Sequence, residues 1–283
     1  MTKLAIYRFG EIIHGVSGGQ PPLKQAMQEA LGKTVRRTDR LTQLALIGSF
    51  RCKGNQPLPQ NTGIYLSSIF GARSNTALVL GEIYREGNRP GPLTFINTVG
   101  NAACFYLAEQ LGLNSCNQFL ARDDFALEGV LRLASLDLAA GNIDAALVGV
   151  ACEGSAEGAL AEGSHWFLVA TERKGEVPLA TIEQLREPLS EAELTEQVLA
   201  LAQSSPEATV VVFGTKVPQP IREALLQKTK IKERSFIAEG QRHELPAAAQ
   251  LTGFLAAKNP GEKRLVHLDS DGRGRWSLLV VSA

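Results

Sequence analysis

Four cysteines, Cys52, Cys104, Cys116 and Cys152, are the side chains of this sequence that could act as nucleophiles through a thiolate. They form no CxxC pair and no cluster of cysteine and histidine with the spacing of metal ligands. Cys104 lies inside a predicted helix, not at a turn between a strand and a helix. We therefore expect Cys104 and Cys116 to be buried as small apolar side chains, and we predict no metal and no cofactor.

Two adjacent carboxylates, Asp123 and Asp124, precede a stretch with the apolar periodicity of a helix over residues 125–140. Aspartate just before a helix accepts hydrogen bonds from the N–H groups of the first turn, and its charge is favoured by the helix dipole. The sequence therefore predicts Asp124 as the residue that caps this helix, with Asp123 as the alternative.

The lengths and alternation of the apolar runs predict an α/β chain. Strands are expected at residues 3–9, 63–70, 93–96, 117–121, 145–151, 166–171, 209–213, 235–237, 264–268 and 276–281. Helices are expected at residues 73–87, 100–111, 125–140, 191–203, 221–227 and 245–257. A turn followed by an alanine-rich helix occurs twice, as NTVGNAACFYLAEQL and AEGQRHELPAAAQLTGFL. This repetition predicts two duplicated halves, 1–163 and 164–283, within one compact unit.

The composition excludes several classes of function. Lys+Arg and Asp+Glu are equal at 29 each, so no basic excess favours nucleic acid. A net charge near zero suits a subunit of a permanent complex. No apolar run reaches the roughly 18 residues that span a bilayer, and the first residues lack the apolar segment of a signal peptide. We expect a cytoplasmic protein.

The most informative segment is 92–149. It contains Asn97-Thr98-Val99, Asn101-Ala102-Ala103, Leu111-Gly112-Leu113, Asn117 and a final Gly141-x-x-Asp144-x-Ala146-Leu147-Val148-Gly149. In order and spacing these residues resemble the first half of a β-ketoacyl synthase. That resemblance implies a thiolase-like fold with layers in the order α-β-α-β-α and two duplicated halves. It extends from Asp39-Arg40-Leu41 to the last strand and is looser in the second half.

The chain departs from the ketosynthase pattern at several of the family's functional positions. Asp124 stands at the position of the family's nucleophilic cysteine, and Phe213 stands at the position of its first catalytic histidine. His243 matches the second histidine, but without the cysteine and the first histidine we expect it to be an ordinary core or turn histidine. The link over residues 152–163 is shorter than in ketosynthases, so the chain is truncated relative to a full ketosynthase. The glycine-rich turn 269–275 keeps two glycines but contains two arginines.

This pattern resembles the chain length factors, which are catalytically inactive ketosynthase-like subunits, and most of all the small ones of bacterial aryl-polyene systems. The resemblance implies a heterodimer with an active β-ketoacyl synthase of the type II polyketide kind, and contact with acyl carrier protein through that complex. The chain would shape the tunnel that holds the growing product. The tunnel and interface residues are then expected to be Phe95, Asn97, Asn101, Phe105, Tyr106 and Phe125.

Other interpretations stay open from the sequence. The chain could be an active acyltransferase or condensing enzyme that uses Cys104, Cys116 or an acidic nucleophile. It could also be a scaffold that only stabilises its partner. Phe105 could pack in the core instead of gating a tunnel. The basic run Arg36-Arg37, followed by Asp39-Arg40, could be a solvated face or a patch that meets an acidic acyl carrier protein.

Overall fold

The computed structural model describes residues 3–14, 22–154, 161–173, 175–204, 207–237 and 245–283. The strands of these residues are β1 (Leu4–His14), β2 (Thr62–Ser68), β3 (Asn117–Ala121), β4 (Ala145–Cys152), β5 (Glu162–Ala170), β6 (Ala180–Leu189), β7 (Thr209–Phe213), β8 (Lys232–Glu233), β9 (Arg264–Ser270) and β10 (Trp276–Ser282). The helices are α1 (Leu23–Leu31), α2 (Arg40–Lys53), α3 (Arg73–Tyr84), α4 (Pro92–Ile96), α5 (Ala102–Leu111), α6 (Ala126–Ala139), α7 (Glu191–Ser204), α8 (Gln219–Thr229) and α9 (Pro246–Ala257). None of these helices combines the length and apolarity needed to cross a membrane.

The strand order repeats. The described strands form one sheet in the order β3-β2-β4-β5-β1-β6-β10-β9-β7-β8. In each half, the second strand pairs in parallel with the third and the fourth, and the fifth strand is antiparallel to the first and the fourth. The two halves therefore have the same topology, and they meet where β1 pairs with β6. The boundary predicted between residues 163 and 164 falls inside β5, and the repeat instead places the division between β5 and β6.

Three apolar clusters define the layers. The central cluster joins α6 and α9, through residues such as Leu131 and Leu251, to one face of the strands of both halves. A second cluster packs α1, α2 and α5 on the other face of the first half. A third packs α7 and α8 on the other face of the second half. Each half of the ten-stranded sheet lies between the central helices α6 and α9 and its own outer helices. The layers therefore run helix, half-sheet, helix, half-sheet, helix, and the predicted thiolase-like α-β-α-β-α fold is confirmed.

Most predicted elements lie within a few residues of those observed, but two predicted strands are wrong. Residues 93–96 belong to the short helix α4, because Pro92 at its first position fixes a helical φ and the Asn75 side chain donates to the Thr94 carbonyl oxygen at 2.7 Å. Residues 235–237 are not a strand either, because the strand that pairs with β7 is Lys232–Glu233. The helices α1 and α2 and the strand β6 had no counterpart in the sequence prediction.

One buried carboxylate in the first half connects the N-termini of two helices. Glu153, directly after β4, is 4% exposed. Its two oxygens accept from the backbone N–H groups of Leu41 at 3.1 Å and Ser74 at 2.7 Å, which lie in the first turns of α2 and α3. Burial raises the pKa of Glu153, and the two N–H groups oppose that rise. A single side chain therefore accepts a hydrogen bond from one free N–H group in the first turn of each of two helices.

We predict that Glu153→Ala lowers the free energy of unfolding by about 2 kcal/mol, because a lost helix cap costs about 1 kcal/mol and this residue caps two. Urea unfolding of the purified chain measures the change. Glu196→Ala, which removes an exposed glutamate from α7, is the matched control and should change stability by less than about 0.5 kcal/mol. Equal stabilities for the two variants would contradict the double-cap interpretation.

Candidate functional site

A cavity of about 380 Å³ lies where α6 and α9 begin. Its walls come from the turn after β2, the turn before α6, the first turns of α6 and α9, β4, the residues after β7 and the end of β9. Its described lining is Ile69, Phe70, Asp123, Asp124, Phe125, Ala126, Leu127, Glu128, Val150, Thr215, Lys216, Leu245, Pro246, Ala247, Ala248 and Asp269. The described lining combines apolar side chains with four carboxylates, of Asp123, Asp124, Glu128 and Asp269, and one ammonium, of Lys216.

The turn into α6 is strained at Phe125. This residue has φ 54° in the left-handed region, which bulky side chains rarely adopt. Phe125 is buried, and the Arg122 guanidinium lies 5.6 Å from its ring centre. Arg122 is itself fixed by two hydrogen bonds to the Glu187 carboxylate, at 3.0 and 2.9 Å. Phe125 is thus the N-cap residue of α6, and the prediction that Asp124 or Asp123 caps this helix is wrong.

Asp124 pairs with a lysine instead of capping α6. The Lys216 ammonium donates a hydrogen bond to Asp124 Oδ1 across the cavity. This hydrogen bond raises the pKa of Lys216, so its amine stays protonated at neutral pH. Lys216 follows β7 by three residues, and only the fold brings it to the turn before α6.

A second carboxylate, Asp269 at the end of β9, also lines the cavity. Burial raises its pKa to about 6, against the lowering effect of the His267 charge. A Cβ built at Gly214 would meet Asp269 Oδ1 at 1.9 Å, so glycine is required there to leave room for this carboxylate. Sequence reasoning missed both Lys216 and Asp269, and the alternation of β9 was the signal that places Asp269 toward α6.

Beneath the cavity lies a buried ion pair. His267 Nδ1 lies 3.4 Å from Glu128 Oε1, and Ser277 Oγ donates to the same oxygen at 3.2 Å. Burial opposes ionisation of both groups, but their mutual attraction outweighs it, so the pKa of Glu128 is lowered and the pKa of His267 is raised. This pair ties the first turn of α6 to β9, which belongs to the other half of the chain.

Of the three residues matched to catalytic positions, the structure describes two, and these two do not lie together. Asp124 lines the cavity. Phe213 does not, because alternate residues of β7 face opposite sides and Phe213 packs in the outer cluster against α7 and α8. The Arg222 guanidinium lies 5.0 Å from its ring centre. His243 lies outside the described residues.

Five of the six expected tunnel and interface residues lie together on α4, α5 and the turn between them. Phe95 and Phe105 are 57% and 62% exposed, so the alternative that Phe105 packs in the core is wrong for this chain. Asn101 is the exposed N-cap residue of α5. Asn97 and Tyr106 donate to the backbone carbonyl oxygen of Arg37, at 2.9 and 3.3 Å. Phe125, the sixth, lies in the cavity.

The two cysteines considered as nucleophiles lie apart from the cavity lining. Cys104 is buried as expected, its thiol donates to the Gln118 carbonyl oxygen at 3.5 Å, and burial raises its pKa to about 12. Cys116 is only half-buried, so the expectation of burial was wrong for it. Its thiol donates to the Asp137 carboxylate, which also accepts from Tyr65 at 2.6 Å.

Comparisons with known proteins identify the fold. No protein-family model matches the chain, and no curated protein matches it. Among solved structures, the ishigamide ketosynthase/chain length factor is similar at 21% identity with a TM-score of 0.74, covering 99% of each chain. AntDE:AntF, a type II PKS acyl-carrier protein in complex with its ketosynthase bound to the hexaketide, is similar at 13% identity with a TM-score of 0.68, covering 100% of this chain and 99% of that one.

A third structure, the PfaC ketosynthase-chain length factor, is similar at 11% identity with a TM-score of 0.71. That match covers 100% of this chain and 43% of the other. These identities are low and the coverage of this chain is nearly complete, so what is shared is the arrangement of the backbone. The chain has the fold of the ketosynthases, and solved structures that include chain length factors have the same fold.

Proposed function

We propose that this chain is a ketosynthase-like chain length factor: a subunit without condensing activity that pairs with an active β-ketoacyl synthase and shapes the tunnel for the growing acyl chain. The cavity at the start of α6 and α9 carries this proposal. Its described lining contains neither a cysteine nor a histidine. A condensing site needs a thiolate to hold the acyl group and donors to stabilise the enolate that forms.

The groups that do line the cavity are unsuited to acyl transfer. Lys216 is held protonated by Asp124, and a protonated amine has no lone pair for attack. Asp124 is an ion-pair partner, and carboxylates form reactive mixed anhydrides with acyl groups, not stable thioesters. Cys104 lies outside the lining, and its raised pKa keeps it as a thiol.

The exposed apolar side chains support a permanent partner. We call the set on α3, α4, α5 and the turn between α4 and α5 the apolar surface: Leu78, Leu80, Ile83, Tyr84, Leu93, Phe95, Ile96, Val99 and Phe105, each at least 40% exposed. Val79 is the one buried residue of α3, and α4 buries none. So many large apolar groups on neighbouring elements are typical of a protein interface. The adjacent strand β3 lies at the edge of the sheet, where it can pair with a further strand.

The same surface supports the shaping of a tunnel. Phe105 projects from α5, and its ring meets that of Tyr106 edge to face at 5.7 Å. A rigid ring at the end of a tunnel stops chain growth because one more methylene would overpack the space, at a cost of about 1–3 kcal/mol. We propose Phe95, Phe105 and Tyr106 as the side chains that set product length.

We predict that the purified chain takes up no acyl group when it is incubated with an acylated acyl carrier protein. Intact-protein mass spectrometry measures this, with the active ketosynthase as the positive control. A stoichiometric acyl adduct on the wild-type chain would overturn the proposal. If Cys104→Ala or Cys116→Ala then abolished that adduct, the chain would instead be an acyltransferase.

We predict that Phe95→Glu combined with Ile96→Glu prevents stable copurification with a co-expressed ketosynthase, because two charges would lose their hydration inside an apolar interface. The fold should survive, since both side chains are more than half exposed. Val177→Glu, at an exposed valine outside the apolar surface, is the control and should leave copurification unchanged. Equal recovery of the partner with both proteins would place the interface elsewhere.

We predict that Phe105→Ala shifts the product of the intact complex toward longer chains, because removing the ring leaves room for further extension. Chromatography with mass detection of products measures the shift. Leu136→Ala on α6 removes another exposed apolar side chain and serves as the control. An unchanged product with the complex intact would favour a subunit that only stabilises its partner.

A further inference from the structure

The cavity at the start of α6 and α9 holds more negative than positive charge. Of the four carboxylates in its described lining, one pairs with Lys216 and one with His267. The ion pairs among the described residues include neither of the other two, Asp123 and Asp269. The N-termini of α6 and α9 together supply about one positive charge, which offsets one of these two carboxylates. About one negative charge is therefore left unbalanced in the cavity.

A buried oxygen of Glu128 has no hydrogen-bond donor. Glu128 is fully buried and lines the cavity. Its Oε1 accepts from Ser277 Oγ and lies beside His267, whereas its Oε2 has no partner among the residues that the structure describes. Buried polar side chains in proteins are nearly always hydrogen-bonded, because leaving a buried acceptor without a donor is costly. A ligand that brings N–H groups into the cavity would remove that cost.

Asp269 is fixed in position at the same cavity, but its ionisation is costly. Its Oδ1 accepts from the Ser270 N–H at 2.8 Å, and the lack of a side chain at Gly214 leaves room for it. Burial raises the pKa of Asp269 to about 6, while the charge of His267 opposes this rise and the charge of Glu128 adds to it. A cation bound beside Asp269 would favour the ionised carboxylate, so ligand binding and the charge of Asp269 are linked.

The rest of the lining determines which kind of cation fits. Phe125, Leu127 and Val150 contribute apolar side chains, and the described residues contain no group of three or more potential metal ligands. A volume of about 380 Å³ lies in the range of sites for small organic molecules. Phe70 and Asp123 are exposed, so a molecule of this size can enter beside them. The lining thus favours an organic cation over a metal ion, and it disfavours anions.

We propose that this cavity binds a small organic ammonium, a molecule with one protonated amine and a short apolar body. The amine donates hydrogen bonds to Asp269 and to the unpartnered oxygen of Glu128, and its single charge balances the excess negative charge. The apolar body packs against side chains such as Phe125 and Leu127. Such a binding site depends only on the cavity lining and does not require the chain to be a chain length factor.

Isothermal titration calorimetry of the purified chain with hexylammonium chloride measures the binding. We expect one site with a Kd of about 1 mM or below, which is within reach of a ligand of about seven non-hydrogen atoms. Hexanoate has a chain of the same length and the opposite charge, and 1-hexanol has no charge. Both should bind about tenfold more weakly or not at all. If either bound as tightly as hexylammonium, the cavity would be an apolar pocket without preference for a cation.

Two variants separate binding in the cavity from attraction to the protein surface. Asp269→Asn keeps the size of the side chain and removes its charge, so Kd should rise about tenfold or more. Ala126→Leu narrows the cavity with all charges intact and should weaken binding to a similar degree. Glu196→Gln, which removes an exposed charge from α7, is the control and should leave Kd within about twofold. Unchanged affinity in either of the first two variants would overturn the proposal.

The pH dependence of the wild type needs no variant and therefore holds if Asp269→Asn does not fold. Between about pH 7.5 and about pH 5, Asp269 takes up a proton and Kd should rise about tenfold. The charged groups that act on Asp269 are His267, Glu128, Asp124 and Lys216. The pKa of His267 is raised, so its own protonation over this range weakens binding of a cation further. A Kd that is constant over this range would contradict the role of Asp269.

Two competitors distinguish the organic ammonium from other occupants. Magnesium chloride that displaced hexylammonium at equal concentration would make the cavity a metal site. Nα-acetyl-lysine amide carries the same ammonium on a piece of backbone, and if it bound more tightly, the occupant would be a lysine side chain of a polypeptide. Either result overturns the proposal of a small-molecule site. Copurification with a ketosynthase tests the proposed function separately, because it does not depend on Asp269.

Discussion

The burial of α6 and α9 between the two halves of the sheet is the constraint on which the rest of the structure depends. Both helices contribute to the central cluster together with strands of both halves, and α9 is buried along nearly its whole length. Because the halves repeat one strand order, the two helices begin at the same place. The turns that lead into them therefore meet, and the cavity at their N-termini is a consequence of the duplicated topology rather than a separate feature.

The sequence was sufficient for the parts of this fold that depend on local periodicity. The apolar runs placed β3, β7 and most helices within a few residues. The two alanine-rich helices on which the predicted duplication was based are α5 and α9, and they are not equivalent in the repeat, because α9 corresponds to α6, each of them lying between the third and fourth strands of its half. The contacts that define the cavity could not be predicted in this way. The Lys216–Asp124 and His267–Glu128 pairs each join residues of different halves, and nothing in local sequence spacing specifies such partners. The left-handed backbone at Phe125 follows from packing at the turn, not from the preference of phenylalanine.

Matching residues one by one to a family pattern did not predict which side chains line the cavity, because the direction of each side chain depends on the strand that carries it. The family resemblance matched Phe213 to a catalytic histidine, yet the alternation of β7 directs Phe213 to the outer cluster. The same alternation on β9 directs His267 and Asp269 toward α6. Removing one member of the buried His267–Glu128 pair would leave an uncompensated charge, which is far more costly than replacing both. The buried pair therefore holds α6 to the second half only as long as both of its members are present.

Two hydrogen bonds join the proposed interface to the loop before α2. The carbonyl oxygen of Arg37 accepts from Asn97 and Tyr106, which lie beside Phe95 and Phe105 of the apolar surface. Arg37 has φ 63°, a left-handed conformation that is uncommon for arginine, so these two bonds hold a strained backbone in place. The turn between α4 and α5 is thereby anchored to the loop before α2 in the free chain, and a partner that packs on the apolar surface has little entropy to remove from it.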